Sequence, residues 1–180
     1  MRKFGAKRGT VMVMDVHTGA MRAFAVEPTF DPNRYFDAEL AWLKNWAITD
    51  VYEPGSTFKP LNIAIALETD AIQPEETIYD EGQIRIGEWT IQNSDYDATG
   101  RSGALSITDV LKYSSNVGMV HIMDKLQPED FYAWLEKLEL DRPTGIALPA
   151  ENVPDLKDRD QFVNSWVDTA TASFGQGIVL

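Results

Sequence analysis

The sequence predicts an α+β fold from three observations. Two stretches of alternating apolar residues are closed by glycine turns, an unusually apolar helix begins at Ser56, and an amphipathic helix opens at Gln127. In the first hairpin, Val11-Met12-Val13-Met14-Asp15 and Ala20-Met21-Arg22-Ala23-Phe24-Ala25 flank His17-Thr18-Gly19, so two strands should meet across a short turn. Prolines punctuate Glu27-Pro28 to Pro32-Asn33, and the stretch from Tyr35 to Trp46 mixes aromatics with charges. That region reads as a connector, partly helical.

Pro54-Gly55 then bends the chain into Leu61, Ile63, Ile65 and Leu67, a helix expected to run to about Asp70 and too apolar for a surface. Ser56 stands at its mouth with Lys59 three residues on. Positions i and i+3 share a helix face about 4.5 Å apart along the axis, so Lys59 should reach the Ser56 hydroxyl. A lysine serves as the base for a serine only if its pKa falls well below about 10.4, and an apolar helix supplies the desolvation for that. The N–H groups at the helix start would favour an oxyanion near Ser56. A bare S-x-x-K also arises about once by chance in a chain of this size, as an ordinary helix start with a serine cap.

Pro74 and Glu75-Glu76 mark a loop. Ile84 and Ile86 alternate up to Gly87-Glu88, and Trp89 and Ile91 alternate after it, which fits a hairpin with Gly87 first in a type II′ turn. The oxygen-rich Asn93-Ser94-Asp95-Tyr96-Asp97 fails as a calcium loop. Its sixth place is Ala98 and its twelfth Ala104, so a solvated polar turn is expected. Ser106-Ile107-Thr108-Asp109 has the form of a capping box opening a short helix with Ile107, Val110 and Leu111 inward. Tyr113-Ser114-Ser115-Asn116 then forms a junction before a second run with Val117, Val120 and Met123, and polar side chains at such a junction can project into a cleft. After Gln127, residues Phe131, Trp134, Leu135 and Leu138 follow the helical period and should be core. Pro143, Pro149 and Pro154 break the next stretch into loops, and Asp155 to Asp160 is charge-dense. The tail from Ala170 to Leu180 is apolar to its last residue.

With 180 residues and 44% hydrophobic content, the chain suits one globular domain or most of a larger one. A net charge of -12 argues against a nucleic-acid partner. There is no cysteine and there are two histidines, so no disulfide framework is available and neither a metal centre nor any other cofactor is expected. Neither His17 nor His121 lies in a nucleophile-elbow context. No apolar run approaches the roughly 20 residues of a membrane span, so the polypeptide itself should be soluble.

Ser56-x-x-Lys59 gains weight from Ser114-x-Asn116 at the later junction. Together with Val13-Met14-Asp15-x-x-Thr18-Gly19, Phe30-Asp31-Pro32-Asn33, Glu53-Pro54-Gly55, Thr144-Gly145-Ile146-x-Leu148-Pro149 and Ser173-Phe174-Gly175-Gln176-Gly177, these motifs resemble the transpeptidase domain of class B penicillin-binding proteins. The resemblance implies a β-lactamase/transpeptidase-like fold, an antiparallel sheet packed between helical layers, with residues 1–180 as a partial domain. It implies that Ser56 forms an acyl-enzyme with the D-Ala-D-Ala end of a peptidoglycan stem peptide, that Lys59 takes the serine proton, that Ser114 relays a proton to the leaving amine, and that Asn116 steadies substrate and Lys59. Ser115 and Gly55 would contact substrate. Implied ligands are stem peptides and, as inhibitors, β-lactams. The parent protein would be membrane-anchored, on the outer face of the cytoplasmic membrane, with cell-wall synthesis partners in division or elongation.

The family's third motif, K-T-G, lies downstream of the Ser-Phe-Gly-Gln-Gly segment, and the chain stops at Leu180 without it. The fold is therefore expected to be C-terminally incomplete, with Phe58, Leu61 and Ile65 losing part of their cover. Two rivals follow, a class D-like β-lactamase and a catalytically incomplete penicillin-binding or sensor fragment.

Overall fold

The computed structural model describes the backbone of residues 1–180 and every side chain except that of Arg2. The fold is α+β with antiparallel strand pairs, and the chain divides into two compact units.

The first unit holds residues 1–51 and 143–152. Strands β1 (Gly9–Met14) and β2 (Met21–Glu27) pair antiparallel from Gly9 opposite Glu27, with a register slip between Val13 and Met14. Their turn is organised by Asp15, whose Oδ1 accepts from the backbone N–H groups of His17 and Thr18 at 3.0 Å each. Asp31 caps the turns of the proline-flanked connector through Asn33 N–H, and a single helical turn, α1 (Trp46–Thr49), follows. The connector is thus partly helical, as its composition suggests.

The second unit holds residues 52–142 and 153–180 and carries the buried core. A tight turn at Gly55–Phe58 leads into α2 (Lys59–Glu68). Strand β3 (Thr77–Asp80) does not pair with the next strand in sequence. It pairs with β6 (Gly103–Ser106), and the hairpin of β4 (Gln83–Ile86) and β5 (Trp89–Gln92) is inserted between them, followed by one helical turn, α3 (Tyr96–Thr99). Gly87 has φ of 60° while Glu88 keeps an ordinary φ, as a type II′ turn requires. The strands therefore form three two-stranded antiparallel pairs, packed with helices.

Ser106 caps α4 (Ile107–Lys112) through Asp109 N–H, and Ser115 caps α5 (Asn116–Met123) through Gly118 N–H. α6 (Pro128–Lys137) turns Phe131, Tyr132 and Leu135 into the core, whereas Trp134 and Leu138 lie at its margin. Phe131 meets Phe162 of α7 (Arg159–Asn164) edge-on, with centroids 5.5 Å apart.

The chain closes with α8 (Trp166–Ala172) and a tail that returns to α2. The Asn62 side-chain amide, fully buried, donates to the carbonyls of Ala172 (2.9 Å) and Ser173 (2.8 Å). Phe174 and Ile178 join the same core as Phe58, Ile63 and Ile65. This corrects the expectation that Phe58, Leu61 and Ile65 are uncovered. Phe58 and Ile65 are buried and Leu61 is half-buried, because the tail supplies the cover.

Asn62→Asp, nearly isosteric, replaces two donors by a carboxylate facing two carbonyls. It should destabilise the second unit by at least about 3 kcal/mol at neutral pH, read as a fall in the urea midpoint. An unchanged midpoint would show that Asn62 does not hold the tail.

Candidate active site

Ser56 is exposed in the turn at Gly55–Phe58, and the tail holds that turn from below. Tyr52 and Leu180 exchange both backbone hydrogen bonds (2.9 and 3.0 Å), Gly55 N–H donates to the Gly175 carbonyl at 2.8 Å, and Glu53 Oε1 accepts from Gly177 N–H at 2.8 Å. Gly175 has φ of 80°, and a Cβ there would sit 2.2 Å from the Gly55 carbonyl oxygen. Only glycine allows the two backbones to pass so closely.

Lys59 is 1% exposed, and its Nζ donates to the Ser114 carbonyl (2.6 Å), Ser114 Oγ (3.0 Å) and Asn116 Oδ1 (2.7 Å). An ammonium has three protons, and all three are taken. Ser114 Oγ in turn donates to Ser56 Oγ at 3.0 Å. Lys59 and Ser56 are therefore joined through Ser114 rather than by the direct hydrogen bond that the i, i+3 spacing suggests. Local geometry puts both residues on one face, but the acceptors at the α4–α5 junction draw the ammonium towards themselves. Burial pushes the Lys59 pKa down to about 8.

Ser114 itself is left-handed, with φ of 55°, which a non-glycine residue adopts only when its surroundings compel it. Asn116 Nδ2 donates to the Gln92 carbonyl at 3.0 Å, and this fixes the amide so that Oδ1 faces Lys59. The structure thus brings Ser56, Lys59, Ser114 and Asn116 into one cluster.

Ser115 does not face a ligand, which corrects its expected substrate role. It is 1% exposed, donates to Asp80 Oδ2 at 2.6 Å and accepts from Gly118 N–H at 2.7 Å, so its hydroxyl is fully engaged inward. Gly55 likewise has its N–H bound to Gly175 and shapes the turn instead of presenting a donor.

Asn93, expected in a solvated turn, is buried against Asp80 and the start of α5. Asp80, buried at the end of β3, lies in none of the sequence motifs. The alternation of β3, with Ile78 and Asp80 on one face and Thr77 and Tyr79 on the other, was the available signal that Asp80 points inward. His121 Nε2 lies 2.8 Å from Glu81 Oε2, and neither histidine hydrogen-bonds Ser56. A cleft of about 460 Å³ opens beside Asn116, lined by Trp89, Thr90, Gln92, Phe174 and Gln176 among others.

The exposed Ser56 hydroxyl is thus joined through the Ser114 hydroxyl to a buried amine whose pKa is lowered to about 8. The penicillin-binding protein transpeptidase domain model matches residues 9–180. The chain is 47% identical to the peptidoglycan D,D-transpeptidase FtsI homolog of Chlorokybus atmophyticus, covering 97% of this chain and 27% of that protein. It is 31% identical to the probable peptidoglycan D,D-transpeptidase PenA of Neisseria flavescens, covering 97% and 42%. Penicillin-binding protein 3 of Mycobacterium tuberculosis, solved in complex with aztreonam, superposes with a TM-score of 0.85 at 30% identity, over 98% of this chain and 38% of that one. The transpeptidase domain of Burkholderia pseudomallei penicillin-binding protein 3 gives 0.80 at 25% identity, over 99% and 48%. The chain belongs to the penicillin-binding protein transpeptidase family. It spans between 27% and 31% of the length of the FtsI homologs it matches.

Gly175→Ala should cost about 3 kcal/mol, combining overpacking with left-handed strain, and should move the Ser56 turn. A melting temperature equal to the parent's would show that the tail does not clamp that turn.

Proposed function

We propose that this chain carries the acylation residues of a serine-type peptidoglycan D,D-transpeptidase. The hydrogen-bond chain Lys59–Ser114–Ser56, ending on a buried amine pushed down to about 8, is the observation that carries the reading. The names of the relatives support it, as does the aztreonam complex of a structural neighbour.

With Lys59 neutral, Ser114 gives its proton to Nζ and receives the proton of Ser56, whose Oγ attacks the D-Ala-D-Ala carbonyl. Collapse of the tetrahedral adduct breaks the peptide bond. Ser114 protonates the departing D-Ala amine and is refilled from the Lys59 ammonium. The amine of a second stem peptide then attacks the ester, forms the cross-link and returns the proton to Ser56. A β-lactam enters the same sequence through its strained amide, with no leaving amine to diffuse away.

Among the described residues no helix is long and apolar enough to cross a membrane. We further infer, from the substrate class, that the parent protein is anchored with this domain on the outer face of the cytoplasmic membrane, beside cell-wall synthesis partners. Full-length product in spheroplasts should be cleaved by externally added protease; protection, with recovery in the cytosolic fraction, would contradict that placement.

The acylation mechanism is checked with a fluorescent penicillin on the full-length protein. Neutral Lys59 is the base, so the labelling rate should climb about tenfold per pH unit below about 8 and level off above it. Lys59→Arg keeps the charge without yielding a neutral base and should abolish labelling. Labelling of the arginine variant at the parent rate would refute the assignment.

A further inference from the structure

The left-handed Ser114 is the least comfortable residue of the site, and nothing in its own side chain explains it. Its conformation places both its carbonyl and its hydroxyl on Lys59 Nζ. The residues that follow it are each held from the inner side by one buried pair. Asp80, 2% exposed, accepts from Ser115 Oγ at 2.6 Å, from Gly82 N–H at 2.6 Å, and from Asn93 Nδ2 at 2.8 and 3.0 Å. Asn93, 4% exposed, accepts through Oδ1 from Asn116 N–H at 2.7 Å and Val117 N–H at 3.2 Å. Ser115, Asn116 and Val117 are thus fixed in succession, while on the other side Ser114 N–H donates to the Leu111 carbonyl (3.0 Å) and Ser115 N–H to the Val110 carbonyl (2.9 Å), the closure of α4 that takes a left-handed residue at Ser114.

We propose that Asp80 and Asn93 are positioning residues, whose buried carboxylate–amide pair holds the start of α5 so that Ser114 stays left-handed with both oxygens on Lys59. The inference rests on the reading of Ser56, Lys59, Ser114 and Asn116 as the acyl-transfer group. The pair hydrogen-bonds neither Ser56 nor Lys59 and acts through the Ser115 side chain and the backbone N–H groups of Asn116 and Val117. Its chemistry is polar for a reason. Asp80 accepts from three donor groups and Asn93 reverses the polarity, accepting from two backbone N–H groups while donating to the carboxylate, so neither can be exchanged alone for its isostere.

The test uses [13Cε]-lysine NMR of this chain, with Lys59 assigned by Lys59→Arg, and needs no turnover. Asn93→Ala leaves the net charge unchanged, so any effect on Lys59 comes from geometry. Asp80→Asn sets amide against amide, and the exchange Asp80→Asn/Asn93→Asp restores a carboxylate facing an amide. If the pair holds Ser114, both single variants lose an acceptor on the ammonium, disfavour the charged form, and titrate Lys59 about one pH unit below the parent. The exchange variant should return to within about half a pH unit of the parent.

A role confined to stability would lower the melting temperature and leave the Lys59 midpoint where it was, which would overturn the proposal. So would an exchange variant that stays shifted or does not fold. If the single variants do not fold, a folded exchange variant with the parental midpoint supports it. Failure of the transpeptidase reading shows separately, as full-length parent protein whose Ser56 takes no penicillin, and that result does not alter the comparison of Lys59 midpoints.

Discussion

The second unit is built around the burial of one ammonium group. Moving Lys59 from an ordinary pKa of 10.5 to about 8 corresponds to roughly 3 kcal/mol disfavouring its charged form. The sign follows from the depressed value. That penalty on folding is fully present below pH 8 and is relieved as pH rises towards 10.5, the range in which the unfolded chain still holds the proton and the folded one has released it. The three acceptors limit the penalty without abolishing it, and each of them dictates something else. The Ser114 carbonyl requires a left-handed residue, the Asn116 amide requires Gln92 to hold its other end, and both require α5 to begin where Asn93 pins it.

This explains why the strand pairs, small as they are, matter to the seat of Lys59. Asp80 ends β3 and Asn93 follows β5, and the inserted hairpin of β4 and β5 brings the two together beneath the start of α5. The hairpin also supplies the Gln92 carbonyl. The cleft beside Asn116 is lined on one side by this hairpin, with Trp89, Thr90 and Gln92, and on another by Phe174 and Gln176 of the tail.

Much of this was legible in the sequence wherever the signal was local. Alternation found both hairpins, the capping box at Ser106 found the start of α4, the apolar run after Ser114-Ser115-Asn116 found α5, and the spacing of Ser56 and Lys59 put the pair on one face. The motif resemblance added Ser114 and Asn116. What the sequence hid was every relation decided by a distant partner. Lys59 turns from Ser56 towards Ser114, 55 residues away, because tertiary acceptors outweigh a helical neighbour. Ser115 faces inward because a buried carboxylate 35 residues earlier claims its hydroxyl. Asn93 reads as a solvated residue because its polarity carries no mark of the buried Asp80 opposite. The cover over Phe58 and Ile65 comes from a tail whose contact with α2 depends on Asn62, an isolated amide in an apolar helix.

The clamp under Ser56 also sets an order of assembly. Lys59 meets its partners 55 and 57 residues downstream, but the Ser56 turn is tied to Gly177 by a contact spanning 124 residues and to the tail through Asn62 across 110. As the chain emerges from the ribosome, Lys59 can find its seat before residues 172–180 are made. The Ser56 turn can be locked only after residues 172–180 have arrived, because Gly175 must slide against Gly55 with no side chain between them. A nascent chain can therefore seat Lys59 before it clamps the turn that carries Ser56, and residues 172–180 are the ones that close it.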